Sequence, residues 1–309
     1  MISIRYKRHC DKGHIMNALY IIFLLLFTSW NISAVEISAI IYDIIEPEQA
    51  ETTYLVLTLD GHVYEINENE VDIIYLAYGA KDSNAEVIID IEDESLKGIL
   101  GFIENILSIR LLSLNNLEKV NHINFEIPHP LDNYEISVLD NYETAFQLFL
   151  TQNKKTRGRS QCYNRAHVWT YELSDRINAG KVFLFFTRRY IREFRYRWWF
   201  HVSPYTKVLG ESEEIILDRE FLKAPLRITD WKNIFMANQA HCPSVDLYTD
   251  YRQNQFSHYC YFIKASMYYW QPYNIENLEN GSPAKTEYIN SELRRAYRDG
   301  FGIRNPRFK

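Results

Sequence analysis

A chain of 309 residues with 47% hydrophobic and 24% charged residues holds enough apolar surface for one large core or two ordinary ones, which excludes wholesale disorder. The net charge of −6 hides a division: residues 35–150 carry 23 Asp and Glu against 4 Lys and Arg, whereas residues 151–309 carry 16 against 26. Such asymmetry points to nucleic acid, to a membrane, or to each half as the other's partner, and the last is simplest because both halves travel on one chain.

The first element is a leader. Arg5, Lys7, Arg8 and Lys12 precede the apolar run ALYIIFLLLFTSW (18–30), and Ser33 and Ala34 then offer small residues. A basic start, an apolar core shorter than a membrane span and a small-residue site make residues 1–34 a signal peptide; an uncleaved N-terminal anchor is the alternative. Either way the body of the protein is expected outside the cytoplasm, secreted or periplasmic. No second apolar run is long enough to span a bilayer.

The acidic domain, residues 35–125, reads as small and β-rich. TTYLVLTLDGHVYEIN (52–67) gives two strands around Asp60-Gly61, a strong hairpin turn. VDIIYLAYG (71–79) and AEVIIDI (85–91) continue as strands, and ESLKGILGFIENILSIRLL (94–112) has the apolar spacing of a helix. No cluster of titratable residues marks a site there. Prolines in NFEIPHPLDNYE (124–135) place the domain boundary.

The second domain, residues 130–309, opens with a short amphipathic helix in NYETAFQLFLTQNKK, followed by the basic loop KKTRGRSQ, open to proteases. With Ser160 as N-cap, Cys162, Ala166, Trp169, Leu173 and Ile177 fall on one helical face. Cys162 then sits in the first turn, where unpaired backbone N–H groups and the helix dipole favour a thiolate and can hold an oxyanion. Spacing alone equally allows a packed thiol that begins the apolar stripe. His167, five residues on, points away from Cys162 and reads as structural.

From Tyr190 to His201, aromatic residues at even positions alternate with Glu193, Arg195, Arg197 and His201, the pattern of a half-buried strand with His201 on its more polar face. The apolar strand in EEIILDREF ends at Asp218, placed to fix an imidazole tautomer or to sit in a surface turn. The interleaved RRYIREFRYR also fits a nucleic-acid stripe, but the alternation already explains its aromatics as core, and no nucleic-acid partner is expected of an exported chain.

Cysteine arithmetic gives Cys162, Cys242 and Cys260 after the leader takes Cys10. Pairing Cys242 with Cys260 closes a short loop, worth about 3 kcal/mol, and leaves Cys162 free. His241 and His258 beside that pair read as scaffold or surface. Phosphate loops, C-x-x-C pairs and H-E-x-x-H are missing from the sequence, so neither metal nor organic cofactor is expected.

CYNRAHVW, WWFHVSPY and IILDREFL, in that order, resemble the Cys, His and Asp segments of the bacterial protein-glutaminase family, secreted protein-glutamine deamidases. DNYETAFQLFLTQ and TDWKNIF (229–235) resemble family segments too, so the resemblance covers about residues 130–260. It implies an α+β, papain/transglutaminase-like catalytic domain with a Cys-bearing helix on an antiparallel sheet. It also implies a catalytic triad of Cys162, His201 and Asp218, and an N-terminal pro-region, here the acidic domain, covering the site of an inhibited precursor. Family members carry several disulfides, whereas this chain allows one. The expected reaction hydrolyses the side-chain amide of glutamine exposed on a protein substrate, by a monomer whose only standing partner is its own pro-region. The backbone N–H groups of the helix start would hold the oxyanion, with Gln161 a candidate second donor. A transglutaminase or cysteine protease using the same triad, and a non-catalytic binding module, are the competing readings.

Overall fold

The Asp60-Gly61 turn sets the shape of the first half. In the computed structural model, which describes residues 34–48, 51–92, 104–111, 134–152, 156, 161–236, 240–279, 286–306 and 308, Gly61 has φ +92°, open to glycine at little strain. It joins β2 (Thr53–Thr58) to β3 (Val63–Asn67). With β1 (Ala34–Ile45), β4 (Glu86–Glu92) and β5 (Glu104–Leu111), the hairpin closes a barrel in the order β1-β2-β3-β5-β4. Every neighbouring pair is antiparallel except β3 with β5. The leader through residue 33, Ser160 and most of the boundary and basic-loop stretches lie outside the described residues.

Two sequence expectations fail in this barrel. Residues 71–79 are no strand but lie in helix α1 (Val71–Ser83), which seats the fully buried Ala77 and Ala80 on the barrel and ends at Asn84 with φ +50°. Within 94–112, residues 104–111 are strand β5 rather than helix. The misleading spacing comes from a bulge: Ser108 pairs with Asp90 and Ile106 with Ile91, so Leu107 has no partner and stands exposed. One extra residue turns the period-two rhythm into a spacing of three, and Ile106 and Ile109 both face inward.

In the second half, α2 (Tyr142–Thr151) begins where the Asn141 side chain accepts from the Thr144 N–H at 2.9 Å, and α3 (Cys162–Leu173) follows. A sheet with path β10-β9-β8-β7-β11 is built from β7 (Gly180–Phe186), β8 (Phe200–Val208), β9 (Ile215–Ile216), β10 (Leu226–Arg227) and β11 (Cys260–Ala265), all antiparallel neighbours. The short β6 (Val138–Leu139) runs parallel to β8. The fold is thus mixed α+β with antiparallel sheets. Cys242 and Cys260 form a disulfide with Cα atoms 4.9 Å apart, and Cys162 is the free cysteine among the described residues.

The half-buried strand expected over 190–201 is also corrected. Thr187 caps a short helix, α4 (Arg188–Phe194), which Arg195 ends at φ +46°; β8 starts only at Phe200. Both faces of β8 are covered, so His201 is buried rather than polar-facing. Helix α3 is likewise buried nearly all round, because it packs on β8 at one side and on the C-terminal helix α8 (Thr286–Phe301) at the other.

The barrel docks on the second half by matched charge and backbone. Arg195 meets Glu65 at 2.6 Å, and Arg192 reaches the Glu46 carbonyl at 2.7 Å and pairs with Glu51. The Val63 N–H donates to the Arg197 carbonyl at 2.7 Å and the Trp199 N–H to the Gly61 carbonyl at 3.0 Å, which bridges His62 to Trp198. Ile45, Leu55, Leu57 and Val63 join the core of the second half, while the barrel keeps a core of its own. No helix among the described residues is long and apolar enough to cross a membrane.

Gly180, at the start of β7, has no room for a side chain: a Cβ there would lie 2.5 Å from Tyr205 and 2.7 Å from Ile136. Gly180→Ala should therefore lose about 1–3 kcal/mol of stability, read as a lower denaturant midpoint with unchanged slope.

Candidate active site

Three segments far apart in sequence converge on one cavity. Cys162 opens α3 with its side chain 9% exposed, His201 is the second residue of β8, and Asp218 follows β9. His201 Nε2 and Asp218 Oδ2 are 2.7 Å apart, both side chains almost fully buried. With Nε2 engaged by Asp218, Cys162 is near enough to the ring to favour its charged form.

Burial alone would strip the proton from His201, but the charge and hydrogen bond of Asp218, aided by Cys162, outweigh it and raise the imidazole to about 9. Burial likewise works against the Asp218 carboxylate, yet His201, the indole of Trp231 at 2.9 Å and the charge of Arg165 hold it below the usual carboxylate range. Both shifts favour the charged pair, an imidazolium bonded to a carboxylate. Aromatic rings fix its plane: Trp198 stacks on His201 at 5.9 Å, Phe235 lies at 4.5 Å and Phe221 meets it edge-on at 5.0 Å.

The N-cap of α3 is Gln161, not Ser160. Its Oε1 accepts from the Tyr163 hydroxyl at 2.7 Å and from Asn164 Nδ2 at 2.6 Å, which turns the Nε2 donor the other way. Gln161, Cys162, Arg165 and His201 line a cavity of about 580 Å³ whose opposite wall is the barrel's Asp60, Gly61 and His62. His62 Nδ1 lies 3.1 Å from Asp60, so the hairpin brings a second His–Asp pair to the site that the sequence reading of the acidic half did not single out. A Cβ on Gly61 would stand 3.2 Å from the Phe200 ring, so this close approach also needs glycine.

His167 is elsewhere. It contacts Lys181 Nζ at 2.5 Å beneath α3, and burial first, then the Lys181 charge, push it well below its ordinary value. His241 and His258 stand near each other, ring centres 6.2 Å apart, away from the cavity lining. Trp231 and Arg165 lie within TDWKNIF and CYNRAHVW, but nothing in their spacing marks them as partners of Asp218.

Trp231→Phe keeps an aromatic ring but removes one hydrogen bond to an ionised group and part of a fully buried side chain; it should cost at least roughly 1.5–3 kcal/mol in urea unfolding while far-ultraviolet dichroism stays native. Because the folded imidazole is raised, the pair's contribution is full below the unfolded value near 6.5 and is lost as pH rises through about 9. The added cost of Trp231→Phe should persist or grow over that window, because Asp218 stays ionised while it loses the charge of its imidazolium partner.

Residues 151–235 match the family model described as glutaminase. No curated protein matches the sequence. Among solved structures, the chain is similar to crystal structures of pro-protein-glutaminase (TM-score 0.45, 16% identity, covering 87% of this chain and 95% of that one) and of its A47Q2 mutant (TM-score 0.46, 14% identity, covering 86% and 93%). It is also similar to the NMR structure of protein-glutaminase from Chryseobacterium proteolyticum (TM-score 0.34, 17% identity, covering 54% and 93%). Cys162, His201 and Asp218 all fall inside the segment that matches the glutaminase model.

Proposed function

We propose that the chain is a secreted protein-glutamine deamidase, made as a precursor, that works through Cys162, His201 and Asp218. The observation that carries this reading is the 2.7 Å His201–Asp218 pair next to the free Cys162, within a segment that matches the glutaminase model. We read the second half as the papain/transglutaminase-like catalytic domain and residues 1–34 as its export signal.

In this mechanism the Cys162 thiolate attacks the side-chain amide carbon of a glutamine in a protein substrate. The Asn164 and Arg165 N–H groups already donate to the Gln161 carbonyl, so the Cys162 N–H, with Gln161 Nε2, receives the developing oxyanion. His201 gives its Nδ1 proton to the departing nitrogen, ammonia leaves, and a thioester remains. The neutral imidazole then takes a proton from water, which attacks the thioester and releases glutamate and the thiolate. Asp218 stays ionised throughout and holds the ring by Nε2. No step calls for a metal or organic cofactor.

The barrel is read as the pro-region. This reading is supported by the hairpin's share in lining the cavity that holds Cys162 and by its backbone bridge to Arg197 and Trp199. Opposite charge steadies the contact, with Glu65, Glu46 and Glu51 meeting Arg195 and Arg192. Cleavage between residues 113 and 158 would free the cleft.

Ammonia release from a casein-like protein tests the reading. Limited proteolysis should raise the rate at least tenfold, Cys162→Ala should abolish it with folding retained, and the substrate should gain neither new N-termini nor cross-links. Peptide cleavage without ammonia would favour a protease, and cross-links a transglutaminase. Since His201 must carry a proton to expel ammonia, kcat/KM should fall as pH rises through about 9.

A further inference from the structure

The barrel holds the second half at a place the cavity does not explain. In β1, Ile41 pairs with Thr58 and Asp43 with Leu57, so Tyr42 is an extra, bulged residue. A bulge re-aims a side chain. Here the phenol leaves the barrel and lies flat on Trp199, ring centres 4.7 Å apart and planes 9° from parallel. Its hydroxyl donates to Glu276 at 2.5 Å and lies 2.7 Å from the Tyr248 hydroxyl. A phenol has one proton, so with that proton on Glu276 it is Tyr248 that donates to Tyr42. Arg252 binds the other oxygen of Glu276 and fixes its orientation. The far end of the socket is firm: Tyr248 is 2% exposed and packs edge-on against Phe185 at 5.3 Å.

The socket matches a phenol in both shape and polarity. An indole or aliphatic side chain would not present one oxygen to both a donor and an acceptor, and phenylalanine would leave Tyr248 and Glu276 without that partner. The same Trp199 also donates its indole N–H to the Thr58 carbonyl at 2.7 Å and its backbone N–H to Gly61. Occupation of the socket is thus tied through one residue to the hairpin over Cys162.

We propose that Trp199, Tyr248, Arg252 and Glu276 form a phenol-binding site, filled within the chain by Tyr42, whose occupation latches the barrel over Cys162. This rests on the reading of the barrel as a cover. It does not depend on which bond the site cleaves. Once the latch is released, the site is free to take a tyrosine side chain or a small phenol.

The test uses the full chain and the rate at which iodoacetamide alkylates Cys162, located by peptide mass spectrometry. Tyr42→Ala should speed alkylation about tenfold or more, Tyr42→Phe by less, and millimolar p-cresol should slow Tyr42→Ala back toward the wild-type rate while toluene does so weakly and wild type is unmoved. Wild-type rates in both variants with native dichroism, or equal effects of p-cresol on wild type and Tyr42→Ala, would overturn the proposal. Should Tyr42→Ala fail to fold, Tyr42→Phe and Glu276→Gln decide by the same readout, acceleration supporting the latch and unchanged rates refuting it. A wild-type Cys162 as reactive as in the urea-unfolded chain would remove the cover and the latch together. Faster alkylation in Tyr42→Ala without ammonia release from any substrate would sink the deamidase reading and leave the latch standing.

Discussion

A charged imidazole bonded to a carboxylate at 1–2% exposure is the constraint around which the second half is built. Neither ion tolerates that setting alone: burying an unpaired charge costs several kcal/mol, so removing one partner is worse than never having had either. The pair persists because Asp218 has two donors, His201 and Trp231, and because Arg165 adds positive charge from α3. Aromatic rings pack on the imidazole from several sides, and its Nε2 is held by Asp218. A site of this kind is arranged before any substrate arrives, which is where most of its chemical advantage would come from.

Four consecutive residues join that site to the acidic half. Arg197 accepts from Val63, Trp198 stacks on His201, Trp199 holds Gly61, Thr58 and Tyr42, and Phe200 packs closely against Gly61. The contact between the halves and the wall of the cavity are therefore built from one segment. Displacement of the barrel must disturb the residues beside the imidazole. The division of charge evident in the sequence reappears as pairs across this contact, with Arg192 and Arg195 serving carboxylates and a carbonyl of the barrel.

What could be read from the sequence follows from how local each cause is. The Asp60-Gly61 turn, the capped helix from residue 142 and the helix from Cys162 depend on neighbours in the chain, and all three are present. Residues 71–79 misled because Val, Ile and Tyr favour strands, while Ala77 and Ala80, which fit the helix closely on the barrel, carry little weight in a hydrophobic pattern. The bulge at Leu107 gave β5 a helical rhythm. The polar face expected of His201 vanished because helix α5 (Ile228–Met236), with Trp231 and Phe235, covers that side of the sheet. No periodicity brings residues 162, 201 and 218 together; only the family resemblance groups them, and it also covers the segment holding Trp231.

The central claim is that the imidazole of His201 is charged at neutral pH because Asp218 is beside it. Nuclear magnetic resonance titration of His201 in the full chain measures this directly. The expected midpoint is near 9, with a clear fall in Asp218→Asn, where Cys162 alone is left to oppose burial. A His201 that titrates at or below the ordinary value in the unaltered chain, or one indifferent to Asp218→Asn, would contradict it.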